Sequence, residues 1–110
     1  MAVLTTLDEN VVNAIQLANN YPSIIRMGVF GSCARGEQTS ESDIDIIYDY
    51  DDTQIDDMME CLEAIDNRLQ KKIDFVAYYL LFEDGMSRSE ANFKENVLRD
   101  VKWIYIKPQT

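Results

Sequence analysis

The stretch GSCARGEQTSESDIDI, residues 31–46, places a glycine–serine pair ahead of two aspartates that are one residue apart. Residues two apart on a β-strand point to the same face, so Asp43 and Asp45 are predicted to project together, with backbones about 7 Å apart. An Asp-x-Asp pair alone is also common on a solvated strand face. On a shared, partly buried face the two carboxylates repel each other, so the stretch raises the question of what lies between them.

Composition narrows the classes of protein that are possible. The chain has 110 residues, which favours a single domain over 1–110, and 20 acidic against 10 basic residues give a net charge of −10. That charge disfavours direct binding of nucleic acid or of an anionic membrane. Without histidine, this chain alone cannot form a Ser–His or Cys–His catalytic unit, and two cysteines are too few for a disulfide framework or a zinc site.

The apolar segments of the chain are short. The first residues, MAVLTTLDENVV, lack the basic start and the continuous apolar run of a secretory signal. No stretch is long and apolar enough to span a bilayer. The sequence therefore predicts a cytoplasmic protein without a membrane role.

Periodicity and turn signals predict helices that alternate with strands. Capping signals precede three helices: a capping box from Thr6 to Glu9, Asp52 or Thr53, and a capping box from Ser87 to Glu90. The predicted elements are a helix over 6–20, a strand over 23–30, a loop with one helical turn over 31–42, a strand over 43–50, a helix over 54–70, a strand over 72–79, a helix that ends near 100, and a possible edge strand over 102–106. This order predicts an α/β (α+β) fold, with a small mixed β-sheet of about four strands and helices mainly on one face.

A third carboxylate joins the pair if strands 43–50 and 72–79 are neighbours. Asp74 lies near the start of the second of these strands and would then reach the same place. Three converging carboxylates are costly unless a cation neutralises them. Oxygen-only ligands favour Mg²⁺, with Mn²⁺ as a substitute. A calcium-binding EF-hand loop does not fit, because Ile47 and Tyr48 occupy positions where that pattern needs a ligand and a glycine.

Gly31 and Ser32 follow a strand and precede a predicted helical turn. Free backbone N–H groups at that turn, together with the Ser32 hydroxyl, form a cradle for phosphate oxygens. Arg35 can add a charge-assisted contact to the same phosphates. The Gly31-Ser32 pair alone also fits a tight turn, and Arg35 alone also fits an ordinary surface arginine.

Taken together, Gly31-Ser32, ten residues, Asp43-x-Asp45 and a later Asp74 form the pattern G-S-x10-D-x-D with a third acid. This pattern resembles the nucleotidyltransferase superfamily that includes DNA polymerase beta. The longer string FGSCARGEQTSESDIDI resembles the signature of the minimal nucleotidyltransferases (MNT), and the resemblance extends over nearly the whole chain. It implies a Mg²⁺-dependent enzyme of the nucleotidyltransferase fold that uses ATP.

The resemblance also implies roles for the residues of the motif. Gly31 and Ser32 hold the outer phosphates of the nucleotide, and Arg35 adds to that contact. Asp43 and Asp45 bind two Mg²⁺ ions. Asp74 helps to hold the catalytic metal and favours deprotonation of the attacking hydroxyl.

The sequence says least about the acceptor of the nucleotide. Minimal nucleotidyltransferases resemble the antitoxin half of HEPN–MNT toxin–antitoxin pairs, which implies transfer of AMP from ATP to a tyrosine of a HEPN ribonuclease toxin, within a hetero-oligomer. Two alternatives stay open. One is a nucleotidyltransferase that acts on a small molecule, and the other is a non-catalytic antitoxin that neutralises its partner by contact.

Overall fold

A computed structural model describes residues 8–37, 43–83 and 85–108. Its strands are β1 (Ile24–Val29), β2 (Ile44–Tyr50), β3 (Ile73–Ala77) and β4 (Lys102–Ile106). Its α-helices are α1 (Glu9–Ile15), α2 (Gly31–Arg35), α3 (Ile55–Leu69) and α4 (Arg88–Asp100), with short 3-10 helices at Gln16–Asn20 and Tyr78–Phe82. The predicted order of elements is confirmed. Within these residues, no helix has the length and hydrophobicity needed to cross a membrane.

The four strands form one mixed sheet in the order β3-β2-β1-β4. β1 runs antiparallel to both β2 and β4, whereas β2 and β3 are parallel. A parallel pair needs a crossover connection, and α3 supplies it between β2 and β3. The predicted mixed sheet is therefore confirmed, and β4 is an edge strand as expected.

Alternation along β2 decides which side chains enter the core. Ile44, Ile46 and Tyr48 point to one face, where they belong to the larger core cluster together with buried residues of α1 and α3. Ile47 points to the other face and packs in a smaller cluster with Val97 of α4. Asp45 has the parity of Ile47, so it points away from the larger core.

Two of the predicted helix starts are described. In α4, the Ser87 Oγ accepts a hydrogen bond from the Glu90 N–H at 3.2 Å and the Glu90 Oε1 accepts one from the Ser87 N–H at 3.1 Å, which confirms the capping box. The predicted cap of α3 at Asp52 or Thr53 is wrong, because the N-cap is Gln54 and no side chain caps this helix. The Thr53 hydroxyl is already used, since it donates to the Asp51 carboxylate at 2.7 Å.

The start of the first helix differs from the prediction as well. α1 begins at Glu9, and the Asp8 carboxylate caps it by accepting a hydrogen bond from the Asn10 N–H at 2.8 Å. The predicted capping residue Thr6 lies outside the described residues. A carboxylate at this position also interacts favourably with the positive end of the helix dipole.

Candidate active site

The structure brings two of the three predicted aspartates together. Asp45 of β2 and Asp74 of β3 are direct partners in the register of the parallel strand pair. Both line a cavity of about 250 Å³ that opens on the face of the sheet opposite the larger core. The prediction that these two strands are neighbours is therefore confirmed.

Asp43 immediately precedes β2 and is placed differently from the other two. Its Oδ2 lies 3.5 Å from the Lys72 Nζ, with both side chains substantially exposed, and it does not line the cavity. Over residues 8–37, 43–83 and 85–108, no three His, Cys, Asp or Glu side chains converge closely enough to hold a metal ion. The described structure thus shows a pair of carboxylates at the cavity and a third that is engaged with a lysine.

The environment of Asp45 disfavours its charged form. Burial raises the pKa of the Asp45 carboxyl, and repulsion from the Asp74 and Asp43 carboxylates raises it further, against a partial offset from Arg35. A positive charge between the carboxylates would remove this penalty. Because the donors are carboxylate oxygens, the residues present fit a hard divalent cation such as Mg²⁺.

Gly31 allows the loop after β1 to lie directly against Asp45. The Phe30 N–H donates to the Asp45 carbonyl at 3.1 Å, which holds the end of β1 beside β2. Gly31 itself has a φ of 66°, in the left-handed region. A Cβ at this position would be 2.6 Å from the Asp45 Oδ2, so any larger residue must push the carboxylate away.

Gly31→Ala is therefore expected to lower nucleotidyl transfer by about a hundredfold, the size of effect that a displacement of about 1 Å produces at a reacting centre. Its cost in the free energy of unfolding should be only about 1 kcal/mol, from the left-handed backbone. The matched control is Gly85→Ala, because Gly85 has a φ of 79° but a methyl group added there would have no neighbour within 4 Å. Transferase assays and urea denaturation of both variants test this, and an active Gly31→Ala enzyme would contradict it.

Arg35 and Ser32 lie on α2, which begins at Gly31. Arg35 lines the cavity, where its Nη1 is 2.8 Å from the Asp100 Oδ2 and its Nε is 2.9 Å from the Glu37 Oε1. Ser32 is half-buried in the first turn and is not among the residues that line the cavity. No side chain caps the start of α2, so its first backbone N–H groups have no side-chain acceptor.

Sequence reasoning missed the wall of the cavity that α4 forms. The α4 residues that line the cavity are Phe93, Asn96, Val97, Arg99 and Asp100. Positions 93, 96, 97 and 100 share one helix face. The polar residues Asn96 and Asp100 on the same face as the apolar Phe93 and Val97 were the available sequence signal that this face lines a site. The Phe93 ring also meets the Phe30 ring edge to face, with centroids 5.9 Å apart.

A mixed four-stranded sheet, paired carboxylates on adjacent strands and a glycine-led helix against one of them define the nucleotidyltransferase class of enzyme. The chain belongs to the family described as "Polymerase beta, Nucleotidyltransferase", whose profile matches residues 13–110. It is also 30% identical over 79 residues to a Methanocaldococcus jannaschii protein named "Putative protein adenylyltransferase", a match that covers 69% of this chain and 79% of the relative. The enzyme class expected from the motif is thus confirmed.

Solved structures share this fold. A "putative minimal nucleotidyltransferase" is 25% identical with a TM-score of 0.59, over 84% of this chain and 86% of that one. A toxin–antitoxin complex with AMP-PNP is 22% identical with a TM-score of 0.58, over 89% of this chain and 75% of that one. The toxin–antitoxin complex MntA–HepT is 21% identical with a TM-score of 0.52, over 89% of this chain and 71% of that one. The resemblance to the minimal nucleotidyltransferases and their fold is confirmed, and this family uses a nucleoside triphosphate and a divalent metal.

Proposed function

We propose that this chain is a Mg²⁺-dependent antitoxin that transfers AMP from ATP to a tyrosine of a cognate HEPN ribonuclease toxin. The observation that carries the transferase chemistry is the pairing of Asp45 with Asp74 beside Gly31. The choice of AMP and of a protein acceptor is supported by the relative named as a protein adenylyltransferase. The toxin partner is supported by the toxin–antitoxin neighbours, one of which holds AMP-PNP.

Three carboxylates are assigned to the metal. Asp45 and Asp74 already face the cavity, and Asp43 joins them once it leaves the exposed Lys72. That ion pair is weak enough to release Asp43, because exposed pairs contribute little to stability. When bound, Mg²⁺ supplies positive charge that stabilises the phosphate oxygens and lowers the pKa of a bound hydroxyl, with Mn²⁺ as a substitute.

The transfer exchanges one P–O bond for another. The tyrosine oxygen forms a bond to the α-phosphorus of ATP, while the bond from that phosphorus to the bridging oxygen breaks and pyrophosphate leaves with the bonding electrons. Asp74 is exposed at the cavity, so its carboxylate is accessible to an acceptor that arrives from solvent. We assign to it the acceptance of the hydroxyl proton.

The nucleotide is assigned to the α2 side of the cavity. The uncapped N–H groups of α2 and the Ser32 hydroxyl contact the outer phosphates, where Gly31 permits a close approach. Arg35 lines the same cavity and adds a charge-assisted contact. The tyrosine comes from the partner chain, which makes the working unit a hetero-oligomer.

The direct test uses the chain, labelled ATP, Mg²⁺ and a candidate HEPN partner protein. We expect pyrophosphate release and a mass increase of one AMP residue on a tyrosine of the HEPN protein. The matched control is the same HEPN protein with that tyrosine changed to phenylalanine, which should bind but gain no mass. Transfer of label to a small molecule, with the HEPN protein unmodified, would replace this proposal with the small-molecule alternative.

Binding of ATP is expected to require Mg²⁺ or Mn²⁺ and to weaken about fivefold in Ser32→Ala, because a neutral hydrogen bond contributes about 1 kcal/mol. Isothermal titration calorimetry measures both effects. Ser89→Ala, an exposed serine of α4, is the control and should bind like the unaltered chain. Tight binding in excess chelator that Ser32→Ala leaves unchanged would argue against the phosphate cradle.

A further inference from the structure

Two arginines face the cavity from different helices. Arg35 ends α2 and Arg99 lies in the last turn of α4, and both line the cavity that Asp45 and Asp74 share. They come from positions far apart in the sequence, so the fold alone brings their like charges together.

Asp100 holds this pair together. Its Oδ2 accepts from the Arg35 Nη1 at 2.8 Å and its Oδ1 accepts from the Arg99 Nε at 3.1 Å, so each oxygen serves one arginine. Its side chain is only 11% exposed, whereas those of Arg35 and Arg99 are 44% and 68% exposed. The carboxylate thus lies beneath two guanidinium groups that remain open to a ligand.

We propose that Asp100 is a positioning residue that orients Arg35 and Arg99 to bind the triphosphate of the nucleotide. This inference rests on the proposed function, since it assigns the nucleotide to the same cavity, and it adds Arg99 as a second phosphate-binding arginine. The Asp100 carboxylate accepts hydrogen bonds from one N–H of the Arg35 Nη1 and from the Nε–H of Arg99. The Glu37 carboxylate accepts one from the Nε–H of Arg35. Each guanidinium therefore keeps at least three N–H groups for phosphate oxygens.

Electrostatics support a fixed orientation. The hydrogen bond from Arg99, followed by that from Arg35, lowers the pKa of the Asp100 carboxyl, so it stays ionised at neutral pH. Arginine loses much rotamer freedom when it binds an anion, and a pair already held by a carboxylate has less to lose. The negative charge of Asp100 acts in the opposite direction, because it repels phosphate.

The test measures the affinity of the full chain, with Mg²⁺, for two probes: ATP and inorganic tripolyphosphate. We expect Asp100→Asn and Arg99→Gln each to weaken both probes by the same factor of about ten, the size of a lost charge-assisted contact. Two matched controls should change binding by less than about twofold, because one removes only an exposed ion pair, which contributes little, and the other lies outside the cavity. They are Glu37→Gln, which removes the other carboxylate on Arg35, and Arg88→Gln, which removes an exposed arginine of α4 outside the cavity.

The outcomes separate this inference from its rivals. Weaker binding of ATP with unchanged binding of tripolyphosphate would place these side chains on the nucleoside rather than on the phosphates, and tighter binding in Asp100→Asn would show that Asp100 competes with phosphate. Either result overturns the inference and leaves the proposed function standing. If the unaltered chain binds neither probe with Mg²⁺ or Mn²⁺, the proposed function fails together with the inference.

Discussion

Replacing Asp45 with asparagine is expected to lower nucleotidyl transfer by at least about a thousandfold, because metal-assisted charge stabilisation accounts for several kcal/mol of the barrier. Asparagine keeps the size of the side chain, so the contact with Gly31 is preserved. Transfer to the partner tyrosine, followed by mass spectrometry, measures the loss. An Asp45→Asn enzyme with full activity would refute the assignment of Asp45 to the metal.

The same variant should be at least as stable as the unaltered chain when no metal is present. The pKa of the Asp45 carboxyl is raised in the folded protein, so the charged form costs stability. Near pH 4, about the ordinary pKa of an aspartate, the carboxyl is protonated in a large fraction of both folded and unfolded molecules, and most of the cost is absent. As the pH rises through the folded-state pKa, the unaltered chain loses stability that Asp45→Asn keeps. Melting curves in chelator at pH 4 and pH 7 should therefore diverge at pH 7.

Asp49→Asn is the matched control for both measurements. Asp49 lies on β2 with the same parity as Asp45, but its Oδ2 is 3.5 Å from the Arg26 Nε and it does not line the cavity. We expect this variant to retain transfer and to gain no stability at pH 7. Equal stabilisation in both variants would show that the net negative charge of the chain, rather than the carboxylate cluster, limits the stability of the metal-free protein.

Replacing Asp74 with asparagine is expected to stop modification of the partner while the complex with the partner still forms. Asp74 is exposed on β3 and lines the cavity, so a neutral isostere removes its charge without changing the packing. Loss of transfer should again reach about a thousandfold if this carboxylate holds the metal. Co-purification with the HEPN protein, alongside the transfer assay, separates binding from chemistry.

This second variant also tests the non-catalytic alternative. If Asp74→Asn protects cells from the toxin as fully as the unaltered chain, and the unaltered chain adds no mass to the toxin, the antitoxin acts by contact alone. Asp66→Asn, an exposed aspartate of α3, is a suitable control and should keep both transfer and protection. Loss of the complex in Asp74→Asn would instead place the partner directly on this carboxylate.

Much of the fold follows from local sequence. The capping box at Ser87 and the alternation along residues 43–50 predict α4 and β2, because both depend on neighbours in the chain. The cap of α3 was predicted wrongly for a reason that is also local. The Asp51 carboxylate binds the Thr53 hydroxyl and N–H, which holds the pKa of this carboxyl at about 2 and takes Thr53 out of the capping role.

Some features of the candidate site also follow from the local sequence. The sequence by itself determined that Asp45 points to the opposite face from Ile44 and Ile46 and that a glycine precedes it, since these follow from strand alternation and chain order.

Only the tertiary structure decided the rest. The parallel register places Asp74 beside Asp45, the exposed Lys72 draws Asp43 aside, and α4 brings Asp100 to Arg35. Each of these contacts joins residues far apart in the chain, and no local pattern in the sequence specifies which segments the packing of the sheet and helices brings together.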